Sequence, residues 1–91
     1  MAVSLELSAR LRADGWKVKI QDKERLEPPH VAILRGTMKW RWNLRTGGFM
    51  DTSPDPSMVD KRVVNAILRQ HEWLCARWDE MYPSNPVQGN D

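Results

Sequence analysis

A chain of 91 residues, 41% apolar with five Trp and a formal net charge of +2, has the size and composition of one small domain. No apolar run approaches the roughly 20 residues that cross a bilayer, and Glu6 and Arg10 interrupt any N-terminal signal core. The lone Cys75 excludes an intramolecular disulfide and a cysteine-based zinc site, so a cytoplasmic protein without membrane association is expected.

In chain order, residues 3–14 read as a short helix. Ser4 stands as its cap, Leu7 and Leu11 lie one turn apart behind Val3, and Asp14-Gly15 forms a C-terminal stop. Residues 16–21 then alternate as a strand, with Trp16, Val18 and Ile20 inward and Lys17 and Lys19 outward. The polar stretch 22–27 is a connection, and Pro28-Pro29 enforces an extended approach to a second strand, His30 to Arg35. Its register is open: either His30, Ala32 and Leu34 face the core, or Val31 and Ile33 do.

Arg35-Gly36-Thr37 turns the chain into a third strand, Met38 to Arg45. There the alternation is strict, with Met38, Trp40, Trp42 and Leu44 on one side and Lys39, Arg41, Asn43 and Arg45 on the other. Thr46-Gly47-Gly48 ends it, and Phe49-Met50 has room for a further short strand. After the turn cluster 51–57, a long helix begins either at Asp55 with Pro56 or at Ser57 with Asp60, and runs to about Tyr82 before Pro83. Val59, Val63, Val64, Ile67, Leu74, Cys75, Trp78, Met81 and Tyr82 project onto one broad face of it.

The fold class predicted is α+β: a two-layer α-β-β-β-α domain over residues 1–82, with a three-stranded antiparallel meander packed by the long C-terminal helix. Residues 83–91 are expected to form a flexible polar tail.

Charge is unevenly spread. Residues 10–45 hold ten Lys/Arg against four Asp/Glu, a net of +6, and the remainder of the chain nets −4. Such polarity predicts an anionic partner for one side of the molecule. Lys17, Lys19, Lys39, Arg41 and Arg45 share one face if the three strands form one sheet; with Arg35 beside them they make the candidate binding set for RNA or an acidic protein.

Candidates for chemistry are few. His30 follows a rigid Pro-Pro among Arg25, Arg35 and Lys39, a setting for an acid–base residue acting on a ribose hydroxyl or for a strand-end histidine bonded to the backbone. His71, Cys75 and Asp79 recur every four residues, a spacing compatible with metal ligands. Their place on the apolar flank of the helix favours a buried thiol instead, and neither metal nor cofactor is expected. Trp40 and Trp42 would stack on bases if exposed, but their company with Met38 and Leu44 favours a core layer.

The order of strand, polar loop, Pro28-Pro29-His30, apolar strand, basic strand, glycine turn and long helix with Trp73 and Trp78 resembles the bacterial domain of unknown function family 4160. Its mark is Asn-His-x-Pro-Pro-His-x-His. The resemblance covers about Trp16 to Trp78; Ala32 stands where the second His is expected and Arg25-Leu26 where Asn-His is expected. It implies a bacterial setting in operons of toxin–antitoxin type and no particular reaction. A weaker similarity, carried by residues 11–16 and 66–70, is to HicA-type messenger-RNA-cleaving toxins. It implies a double-stranded-RNA-binding-like fold and maps their catalytic histidine nearest to His30.

These readings converge on a non-enzymatic binding domain of a toxin–antitoxin-like or mobile-element operon, using the basic sheet face. The competing expectations are a metal-independent ribonuclease with His30 as its acid–base residue and Arg35 or Lys39 stabilising charge, and an assembly domain that pairs with its own copies.

Overall fold

The computed structural model describes residues 3–21 and 27–88. Five strands form one antiparallel sheet in sequential order: β1 (Val3–Leu5), β2 (Trp16–Ile20), β3 (His30–Arg35), β4 (Met38–Asn43) and β5 (Gly48–Phe49). The helices are α1 (Ala9–Ala13), α2 (Lys61–Arg69) and α3 (His71–Met81), with a 3-10 turn over Pro56–Met58. The chain is mixed α+β, with two strands beyond the three-stranded meander.

The first correction is at the N-terminus. In place of one helix over 3–14, Val3–Leu5 pairs with β2, and the helix is confined to Ala9–Ala13. Ser8, not Ser4, caps it by accepting from the Leu11 amide. The physical reason lies in Val3, Leu5 and Leu7, which repeat every two residues and so extend the sheet before the cap. Gly15, at φ 92°, ends the helix in the left-handed region and delivers Trp16 to β2.

The register of β3 is set by its neighbours. Ile33 lies opposite Val18 on one side and Trp40 on the other, and Val31 lies opposite Trp42. Residues directly opposite share a face, so Val31 and Ile33 join Trp16, Val18, Ile20, Trp40 and Trp42 in the core. Ala32 and Leu34 alternate to the other side, while the ring of His30, at the strand's first residue, packs against Trp78. Gly36, at φ 59°, supplies the tight turn between β3 and β4. β4 ends at Asn43 rather than Arg45, because the Asn43 side chain turns the chain by accepting from the amides of Arg45 and Thr46.

The second correction concerns the long helix, which is three pieces. Asp55 caps only the 3-10 turn, and Val59 is extended at ψ 127°. Asp60 then caps α2 by accepting from the Arg62 amide. Val59 and Val64 occupy the two positions of a hydrophobic staple around that cap, which fixes the angle at which the chain joins the helix. At Gln70 the backbone leaves the helical region (φ −108°, ψ 21°), and its amide is shared between the carbonyls of Ala66 and Ile67. The core cluster unites Val63, Ile67, Leu74 and Trp78 of α2 and α3 with the tryptophan side of the sheet.

In place of a tail from residue 83, residues 83–88 dock. Arg45 donates from Nε to the Val87 carbonyl (2.8 Å) and from its terminal nitrogen to the Pro86 carbonyl (2.8 Å). Asn85 donates to the Glu27 carbonyl and accepts from the Trp78 indole, while Val87 donates to Asp79 and is buried. Polar composition suggested a frayed end, whereas Val87 anchors it. Residues 89–91 lie outside the described residues. Among those described, no helix is long and apolar enough to cross a membrane.

Candidate functional site

Strand alternation on β2, β3 and β4 decides which cations meet. Across these strands Lys17 lies opposite Leu34, which lies opposite Lys39; one step along, Lys19 lies opposite Ala32, which lies opposite Arg41. These residues share the face turned away from the core. Alternate residues of a strand stand about 7 Å apart and next-neighbour strands about 10 Å apart, so the ammonium groups branch from a short grid. Lys17 and Lys39 are exposed and Lys19 is half-buried.

The four cations differ in their electrostatic state. Lys17 and Lys19 form no ion pair or side-chain hydrogen bond among the described residues, and Lys39 donates to Gln21 Oε1 at 3.0 Å. Arg41 is claimed by carboxylates: one terminal nitrogen meets Glu27 and the other meets Asp51, each at 2.7 Å. The hydrogen bonds to Asp51 and Glu27 raise the guanidinium pKa further above its already high ordinary value. The same bond from Arg41 lowers the Asp51 carboxyl. A cleft of about 350 Å³ at this end of the face is lined by Glu27, Lys39, Arg41, Asp51 and Ser53.

Two arginines of the expected set lie elsewhere. Arg35 is opposite Trp16, on the core side of the sheet; its guanidinium lies 5.0 Å from the Trp16 ring centre and Nε donates to the Asp14 carbonyl. Arg45 lies beyond β4 and holds the docked C-terminal segment. Alternation alone would have kept Arg45 on the face, but the Asn43 turn redirects it.

His30 is 1% exposed, and its ring centre lies 5.6 Å from that of Trp78. Its Nδ1 lies 2.8 Å from the Pro28 carbonyl, an oxygen that only accepts, so Nδ1 carries the proton in that bond. A ring so enclosed is not presented to a substrate. Trp40 and Trp42 are core residues, 0% and 5% exposed, and Trp40 donates its indole N–H to the Pro54 carbonyl.

The helical stripe His71, Cys75 and Asp79 lines a groove of about 1120 Å³ beside the docked segment. Cys75 Sγ is 3.4 Å from His71 Nε2, and burial, with Asp79 and Glu72 nearby, raises the thiol pKa. Asp79 is engaged by the Val87 amide. No group of three or more His, Cys, Asp or Glu placed to hold a metal ion occurs among the described residues.

Sequence reasoning missed the two carboxylates that take Arg41. Asp51 is ten residues away and Glu27 fourteen, and only the pairing of β4 with its neighbours brings them together. No family model matches the chain, nor does any curated protein or any solved structure.

Proposed function

We propose that the chain is a non-enzymatic nucleic-acid-binding domain that contacts phosphates through Lys17, Lys19 and Lys39. The observation that carries this reading is the co-facial grid of these lysines over Leu34 and Ala32, on the side of the sheet opposite the core. Ammonium groups on a low floor, projecting from rigid strands, give a positive field directed at a backbone of repeating anions. The enclosed ring of His30 argues against acid–base chemistry on the nucleic acid, so binding without cleavage is the reading preferred over a toxin-like ribonuclease.

The test is a retention assay with labelled nucleic acid at rising salt, comparing the parent chain with Lys17→Ala/Lys19→Ala. Both side chains stand outside the core, so circular dichroism of the variant should match the parent. Affinity should fall with salt and fall again in the variant, as each lost phosphate contact removes about one released counterion. Binding indifferent to both salt and substitution would refute the proposal.

A further inference from the structure

We infer that the lysine face takes nucleic acid as a duplex, gripping backbone phosphates without reading base sequence; this rests on the nucleic-acid reading above. Two features of the face point there. The first is the lack of a stacking platform. Proteins that hold single strands on a sheet rely on exposed aromatic rings against which bases stack. Here Trp16, Trp40, Trp42 and Phe49 all stand on the core side of the sheet. His30, at the start of β3, packs its ring against Trp78 and is 1% exposed, so it offers no stacking surface.

The second feature is the disposition of the arginines. Reading guanine in the major groove calls for a planar guanidinium fork, whereas a lysine ammonium acts on phosphate as a point charge. Arg35 is on the other side of the sheet over Trp16, Arg41 is turned onto Asp51 and Glu27, and Arg45 holds the C-terminal segment. What the face offers outward is lysine. Ala32, 1% exposed, and Leu34 form its floor, and the cleft beside Lys39 is lined by the carboxylates of Glu27 and Asp51, which already hold Arg41.

With stacking and base reading both withdrawn, affinity follows charge density. A duplex presents a charge about every 1.7 Å of its length, about twice the density along either of its strands. Lysines on β2 and β4 stand about 10 Å apart across β3, so the face spreads its charge in two dimensions, as a duplex does.

The experiment measures fluorescence anisotropy with three labelled probes: a mixed-sequence duplex, one of its strands alone, and a duplex of scrambled sequence. The duplex should bind at least about tenfold tighter than the strand, and scrambling should change affinity less than about twofold. Three phosphate contacts give a slope of about −3 for log affinity against log salt. Intrinsic tryptophan fluorescence should stay unchanged on binding, because no indole meets a base. Equal or tighter binding of the single strand, or loss of affinity on scrambling, would overturn the duplex inference while leaving nucleic-acid binding intact. Failure of all three probes to bind would overturn the nucleic-acid reading itself.

Discussion

Asp51 holds Arg41 through both of its oxygens. Oδ1 accepts from a terminal nitrogen at 2.7 Å and from Nε at 3.2 Å, while Oδ2 accepts from Nε at 3.1 Å and from the Arg41 backbone amide at 2.9 Å. The carboxylate thus continues the pairing of β4 beyond Phe49 and engages the one guanidinium on the lysine face among the described residues. In Asp51→Asn/Glu27→Gln both carboxylates that hold the guanidinium are neutralised and it is returned to the face. Duplex affinity should rise and the salt slope should steepen by about one unit, while stability falls by about 1 kcal/mol for the weakened charged hydrogen bonds. A slope unchanged from the parent would show that Arg41 stays withdrawn for another reason.

The same contact makes stability depend on acid. Asp51 titrates below the ordinary 3.8, chiefly through its hydrogen bond from Arg41. A lowered folded-state value stabilises the fold above 3.8, and this contribution disappears as pH falls through the folded value. Asp60, drawn down to about 2 by its bonds from Arg62, behaves in the same sense, its cap persisting until the pH falls through about 2. Urea midpoints of the parent and Asp51→Asn should therefore converge as the pH is lowered below 3.8. A constant gap across that range would contradict the assignment.

Arg45→Ala removes three donors from the segment 85–87. The docked end should loosen, with a stability loss of about 1–2 kcal/mol and faster proteolysis after residue 82. Because Arg45 is placed outside the lysine face, duplex affinity of the folded variant should stay at the parent value. A large loss of affinity would return Arg45 to the interface.

His30 separates the binding and cleaving readings. Its ring lies beside Trp78 and is bonded to the Pro28 carbonyl, which the binding reading takes as packing. His30→Ala should destabilise by about 2–3 kcal/mol, through the cavity and the lost hydrogen bond. At temperatures where the variant is folded, duplex binding should be unaltered. Cleavage of RNA by the parent that vanishes in this variant would reinstate the ribonuclease.

The parts of the fold legible in the sequence are those where one physical signal acts alone. Met38, Trp40 and Trp42 alternate without interruption, and β4 follows from that. The N-terminal stretch carried two signals, the one-turn spacing of Leu7 and Leu11 and the period of two from Val3 to Leu7; the second wins because β2 stands ready to pair. The division between α2 and α3 has no proline or glycine to announce it. Of the candidate site, the common side of Lys17, Lys19 and Lys39 was legible from alternation. The neutralisation of Arg41 and the diversion of Arg45 depend on partners ten to forty-two residues away, which periodicity does not encode.

The most direct measurement is a backbone amide NMR titration with the mixed-sequence duplex. Shift changes should concentrate on Lys17, Lys19, Leu34 and Lys39, with the amides of α2 undisturbed. Changes centred instead on Lys61, Arg62 and Arg69, the exposed cations of α2, would place the nucleic acid on the helical side and contradict the account.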